Sequence, residues 1–128
     1  MQLTMLKSKL HRATVTGADL NYVGSITIDE DLMDASGLLE YEKVQVANIT
    51  NGKRFETYVI KGERKLGQIC LNGAAAHYVN IGDKVIIMAY ALLEQGELAA
   101  FKPKIVFVDD KNRIKEIAQS EIHGEIKN

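Results

Sequence analysis

VQVANIT at 44–50 and KRFETYVI at 53–60 are two runs rich in β-branched and aromatic residues, and Asn51-Gly52 stands between them. Asn-Gly supplies the two positive-φ positions of a type I′ turn, whose twist matches that of paired strands. The stretch predicts a β-hairpin. Beyond it, KGERKLG at 61–67 reads as a polar turn and QICLN at 68–72 as another strand. GAAAH at 73–77 reads as a helical turn opening at Gly73, and Gly82-Asp83 as a turn before a long apolar strand running to about Leu92. EQGE is a polar loop, PKIVFV and RIKEIA flank residues 109–112 as a final hairpin, and 119–128 form a loosely attached tail. On the other side of the hairpin, 3–16 reads as a strand, Gly17-Ala18-Asp19 with Asn21 as a turn, and 26–28 as a strand. Asp29 is placed to cap a short helix through Ala35 or Ser36, with Glu30 and Asp31 in its first turn and Gly37 to end it. About seven strands with only short helices predict a compact, mainly β barrel.

Composition bounds the function. The 128 residues make one domain, large enough to fold without disulfide or metal staples. Sixteen basic residues against seventeen acidic ones give a net charge of -1, so no strong field favours nucleic acid or an anionic membrane. At 6% aromatic residues the chain also lacks a base-stacking stripe. Apolar runs fall far short of the roughly 20 residues that span a bilayer, and Lys7, Lys9, His11 and Arg12 interrupt any signal-like segment. A single cysteine, Cys70, fits a reducing compartment, so a soluble cytoplasmic protein is expected. His11, His77 and His123 have no metal-ligand spacing, and no phosphate loop or dinucleotide fingerprint occurs.

Several small constellations carry chemistry, each with an ordinary structural explanation beside it. Lys7, Lys9 and His11 recur every second residue and share a strand face, which suits an anion site or a solvated surface. Gly24-Ser25 offers a hydroxyl beside a conformationally free residue, or a plain turn. Arg54, Glu56 and Tyr58 fall on one face of a strand and Thr57 on the other, unless a bulge re-aims one of them. Asn72-Gly73-Ala74-Ala75-Ala76-His77 could hold an anion on exposed N–H groups, or could simply pack tightly against a neighbouring strand. Cys70 reads as a buried small hydrophobe.

The combination is more specific than its parts. MLKSKLHRATVTGADLNYVGSITID at 5–29, TNGKRFETY at 50–58, LNGAAAH at 71–77 and IGDKVII at 81–87 resemble, in the same order, the pyruvoyl-dependent aspartate 1-decarboxylases. The likeness covers roughly residues 3–90; the tail from about Leu93 is less recognisable. The resemblance implies a six-stranded double-ψ β-barrel, with Gly82-Asp83 in a turn that recurs in that architecture. It implies that Ser25 attacks the Gly24 carbonyl, so that a single 1–128 domain is cut into 1–24 and 25–128, with a pyruvoyl group at position 25. Thr57 would assist the cut. Lys9 and Arg54 would bind the substrate carboxylates, Tyr58 would be the proton donor, and Asn72 with Gly73, Ala74 and Ala75 would hold the substrate. His11 and Tyr22 would line the site.

A decarboxylated α-amino acid leaves a carbanion that needs an electron sink, and a backbone-derived pyruvoyl group would serve in place of pyridoxal phosphate or a metal. The implied partners are L-aspartate and three further copies in a homotetramer of processed pairs, with sites between neighbouring subunits. Whether cleavage is unassisted or aided by a maturation factor stays open at this point, as does which cation takes which carboxylate. Two readings from other classes stand against the enzyme: a small β-barrel binding module, and a barrel that only associates with partners.

Overall fold

The computed structural model describes residues 1–126; Lys127 and Asn128, which belong to the expected tail, lie outside the described residues. The described chain is mainly β, with strands β1 (Gln2–Thr14), β2 (Gly17–Asp19), β3 (Ser25–Asp29), β4 (Lys43–Asn48), β5 (Arg54–Gly62), β6 (Ile69–Asn72), β7 (Lys84–Glu94), β8 (Lys104–Val108) and β9 (Ile114–Ala118). One α-helix, α1 (Glu30–Ser36), and two 3-10 helices, Gly73–Tyr78 and Gln95–Glu97, complete it. The strands join in the order β2-β6-β3-β5-β4-β7-β1-β8-β9. Most neighbours are antiparallel, but β1·β8, β2·β6 and β3·β5 are parallel. Leu10, Ile26, Ile28, Val46, Val59, Ile69, Leu71, Val85 and Ile87, each fully buried, come from six strands and form one core.

The central hairpin forms as expected, with Val44 to Ala47 paired to Thr57 to Arg54. Its turn does not. The connection spans residues 49–53, and only Gly52 takes a positive φ, of 78°. Asn side chains close the loop instead: Asn48 Oδ1 accepts from the Thr50 N–H at 2.9 Å and Asn51 Oδ1 from the Lys53 N–H at 2.9 Å. The Asn51 amide also donates to the Tyr78 carbonyl at 3.0 Å, a distant partner that favours the longer loop over the two-residue turn.

A second difference lies at Gly17–Asp19, expected as a turn. These residues form β2, in parallel register with Cys70 to Asn72. A side chain at position 17 would stand 2.8 Å from the Cys70 sulfur, so glycine is what lets the two strands meet there. The reversal follows, where Asp19 Oδ1 accepts from the Asn21 N–H at 2.9 Å. With β2 included, the described residues contain nine strands rather than seven.

Helix α1 forms within the expected bounds. Asp29 accepts from the Asp31 N–H at 2.8 Å as the N-cap and also from the Gly67 N–H at 2.8 Å. Gly37, at φ 80°, ends the helix by donating to the Met33 carbonyl. The tail is less loose than expected, because Glu121 reaches Lys9 on β1 at 2.8 Å.

Asn112, in the β8–β9 turn, ties three segments together. Its amide donates to the carbonyls of Thr14 at 2.8 Å and Gly67 at 2.7 Å, and its Oδ1 accepts from the Thr14 N–H at 2.7 Å. It is 3% exposed, with φ 60°, a conformation asparagine tolerates better than most residues. Asn112→Ala leaves those buried backbone groups unpaired, so denaturant unfolding should show a loss of about 2–4 kcal/mol.

Candidate active site

β3 is hydrogen-bonded along both edges, and this places Ser25. On one side β6 runs antiparallel, with Ser25 opposite Asn72 and Thr27 opposite Cys70. Ile26, Ile28, Ile69 and Leu71 point into the core, so Ser25, Thr27, Cys70 and Asn72 form a square on the opposite face. On the other side β5 runs parallel, with Ile26 opposite Val59. Continuing that register by one residue brings Tyr58 next to Ser25, while Gly24 precedes the strand. Tyr58 therefore shares the face of Ser25, while Thr57 shares that of the buried Val59 and pairs with Val44 on β4. The β4–β5 register is regular, and no bulge re-aims either residue.

Within the square the polar groups are connected. Asn72 Nδ2 donates to Ser25 Oγ at 3.0 Å and to Thr27 Oγ1 at 3.0 Å. Ser25 Oγ donates to the Val23 carbonyl at 3.3 Å, and the Cys70 thiol donates to Asn72 Oδ1 at 3.3 Å. Ser25 is 3% and Asn72 4% exposed. Burial, with a smaller contribution from the Asp19 carboxylate, raises the pKa of Cys70 above that of an ordinary thiol. The thiol therefore stays protonated at neutral pH. Cys70 is half-buried and hydrogen-bonded rather than the wholly buried hydrophobe expected, and neither Cys70 nor Thr27 was anticipated at the site. Their only sequence signal is the two-residue spacing from Asn72 and Ser25, which acquires meaning once β3 and β6 are paired.

Gly73 closes the approach to the Gly24-Ser25 junction. It has φ 64°, and a Cβ there would lie 2.6 Å from Gly24 Cα, 2.8 Å from Gly24 N and 3.0 Å from the Tyr22 carbonyl. The small residues that follow divide their roles: Ala74 is exposed, Ala75 packs against the core and Ala76 is buried. Tyr22 and Val23, 65% and 82% exposed, flank the junction on the outside.

The two cations and His11 lie apart from this group. Arg54 begins β5 on the face of Tyr58, about 13 Å from it at ordinary strand rise, and donates to Gln45 Oε1 at 2.9 Å. Lys9 sits on β1, separated from β3 in the sheet order by β5, β4 and β7. Its ammonium pairs with Glu121 at 2.8 Å. His11 stands edge-on to Phe107, with ring centres 5.3 Å apart. A cavity of about 500 Å³ bounded by Asp29, Leu32, Leu66, Asn112 and Ile114 includes none of the expected site residues. Ser25 and Asn72 are instead buried on the face of β3 and β6 turned away from the core, and Tyr58 is half-buried. Among the described residues, no group of three or more His, Cys, Asp or Glu side chains could hold a metal ion. No helix there is long and apolar enough to cross a membrane.

Comparison with known proteins places these residues in context. The family model described as aspartate decarboxylase matches residues 1–115. The chain is 67% identical over 125 residues to the aspartate 1-decarboxylase of Caldicellulosiruptor saccharolyticus, covering 98% of each chain. It is 64% identical over 125 residues to that of Carboxydothermus hydrogenoformans, again covering 98% of each. With the enzyme of Acetivibrio thermocellus it shares 61% over 126 residues, which is 98% of this chain and 100% of the other.

The contact between Gly73 and Gly24 can be tested by itself. Gly73→Ala combines a disfavoured positive φ with backbone overlap that no side-chain rotation relieves, so thermal or denaturant unfolding should show a loss of about 2 kcal/mol or more.

Proposed function

This chain belongs to the aspartate decarboxylase family and is an enzyme that decarboxylates aspartate; we propose that it does so on a pyruvoyl group made from its own Ser25. The product is β-alanine, which in this family supplies pantothenate and hence coenzyme A synthesis. Family membership sets aside the non-catalytic barrel readings. The observation that carries the proposal is the position of Ser25, buried and flanked by Asn72 on one strand and Tyr58 on the next, with Gly24 pressed against Gly73.

In this reading the residues present fit the group, because the hydroxyl of Ser25 adjoins the Gly24 peptide and already accepts a hydrogen bond from Asn72. Ser25 Oγ attacks the Gly24 carbonyl carbon, the acyl group passes from nitrogen to oxygen, and the amine of residue 25 is freed. Loss of the Ser25 α-proton then expels the Gly24 carboxylate and cuts the chain. Hydrolysis of the resulting dehydroalanine releases ammonia. Fragment 1–24 ends in a carboxylate and fragment 25–128 begins with the pyruvoyl group. Thr57 assists this step, and the Asn72 amide stabilises Ser25 Oγ as its proton leaves. When in place, the pyruvoyl carbonyl supplies the electron sink that decarboxylation of an amino acid requires.

For turnover, Asn72 and Gly73 to Ala75 hold the substrate and Tyr58 delivers a proton to the carbon that lost CO2. Arg54 and Lys9 receive the two carboxylates, with the guanidinium fork as the selective anchor. Lys9 already binds a carboxylate, that of Glu121, and is only 15% exposed, which supports an anion-binding role. Because Lys9 lies on β1, with three strands between it and β3, and Arg54 at the start of β5, we infer that a neighbouring copy in a homotetramer completes each site. The exposed Tyr22 and Val23 beside the junction support that arrangement. The fold fits a double-ψ barrel of six principal strands, a reading supported by parallel pairings between strands distant in sequence. We place the protein in the cytoplasm, with no metal, pyridoxal phosphate or nucleic acid required; a maturation factor would act at the 24–25 junction.

Intact mass spectrometry tests the cofactor's origin. Wild type should yield fragments 1–24 and 25–128, whereas Ser25→Ala should remain one inactive chain; normal cleavage or turnover by that variant rules the assignment out. A second pair separates maturation from catalysis. Thr57→Val should slow or stop cleavage. Tyr58→Phe should mature, yet lose about 10²–10⁴-fold in β-alanine formation. The opposite pattern, with Tyr58→Phe uncut and Thr57→Val fully active, would reverse the two roles.

A further inference from the structure

We propose that Cys70 is a positioning residue whose thiol fixes the Asn72 side chain with its two N–H bonds facing Ser25 and Thr27. The inference rests on the reading of Ser25 as the self-processing residue. A carboxamide presents oxygen and nitrogen ends of nearly the same shape, and its partners decide which end faces where. The Thr27 hydroxyl can donate or accept and selects neither orientation, while Ser25 Oγ, whose own proton goes to the Val23 carbonyl at 3.3 Å, accepts from the nitrogen end. The Cys70 thiol donates to Asn72 Oδ1 at 3.3 Å and locks the same orientation from the oxygen end. Its raised pKa keeps the donor proton in place at neutral pH.

The orientation has a chemical consequence. Ser25 Oγ becomes negative as its proton leaves, and attack then moves that charge to the Gly24 carbonyl oxygen. An N–H bond from Asn72, now 3.0 Å from Ser25 Oγ, stabilises the charge on Oγ, whereas the amide oxygen in the same place would oppose it. Two backbone features hold the thiol in position. Cys70 and Asn72 lie two residues apart on one face of β6, and the neighbouring strand offers Gly17, where any side chain would come within 2.8 Å of the sulfur. Cys70 touches neither the scissile bond nor substrate. It acts through Asn72.

The experiment follows conversion of freshly synthesised full chain into its two fragments by intact mass, with thermal unfolding measured on the same samples. Cys70→Ser retains a donor on the same carbon and should cut at close to the wild-type rate. Cys70→Ala should cut on the order of ten-fold more slowly, with the unfolding temperature lowered modestly by the unpaired Asn72 oxygen but the chain still folded. Gly17→Ala, which displaces the thiol, should slow cleavage in the same direction. Equal rates for wild type and Cys70→Ala overturn the proposal, as does a serine variant as slow as the alanine one. Should wild type itself stay uncut, the Ser25 reading fails, and the Asn72 orientation is then read by NMR. Nuclear Overhauser contacts from the Asn72 side-chain NH2 to Ser25 and Thr27, present in wild type and Cys70→Ser but lost in Cys70→Ala, sustain the proposal. The same contacts in all three variants overturn it.

Discussion

The site depends on β3 being paired on both edges. A five-residue strand held by only one neighbour would leave its first residue to fray, and Ser25 is that first residue. Antiparallel pairing with β6 and parallel pairing with β5 fix it from two directions. The same double pairing forces alternation: Ile26 and Ile28 enter the core, so Ser25 and Thr27 must face away from it. Burial of two isoleucines, each contributing about 1.5–3 kcal/mol, is thus also what aims the hydroxyl. Packing and chemistry are set by one register.

Local features of the fold were legible where the signal is short-range. The hairpin around Asn51-Gly52, the capped helix from Glu30 and the stop at Gly37 each follow from a few adjacent residues. The type I′ turn was misread because Asn51 has a partner, the Tyr78 carbonyl, that lies far away in sequence. β2 was misread for a similar reason. Gly17-Ala18-Asp19 has turn-like composition, and only the cysteine across the ladder explains why glycine serves a strand there.

The residues of the site were recognisable as a set of motifs, but their mutual arrangement was not. Alternation correctly put Thr57 and Tyr58 on opposite faces, which seemed to need a bulge before both could serve one site. The strand is regular over 54–58, so the two residues keep opposite faces, Tyr58 with Ser25 on the side away from the core and Thr57 on that of Val59. Cys70 and Thr27 escaped notice because neither residue type, at neither position, signals anything without its cross-strand neighbour. Glu121 escaped for a plainer reason: 112 residues separate it from Lys9, and a tail of polar residues carries no periodicity from which to place it.

β1 lies between β7 and β8 and contributes Leu10 to the core, so the segment before residue 25 is woven into the sheet rather than hung upon it. A cut at 24–25 would leave that segment held by noncovalent contacts alone: ladder hydrogen bonds, apolar packing, and side-chain bonds such as Lys9 to Glu121. The folded protein would barely register the change, but its denatured form would become two molecules instead of one. Refolding would turn from a unimolecular event into an encounter between partners, slower on dilution. Maturation would then work as a ratchet: the intact chain must fold first to bring Ser25 to its place, and once severed it cannot return by the same route.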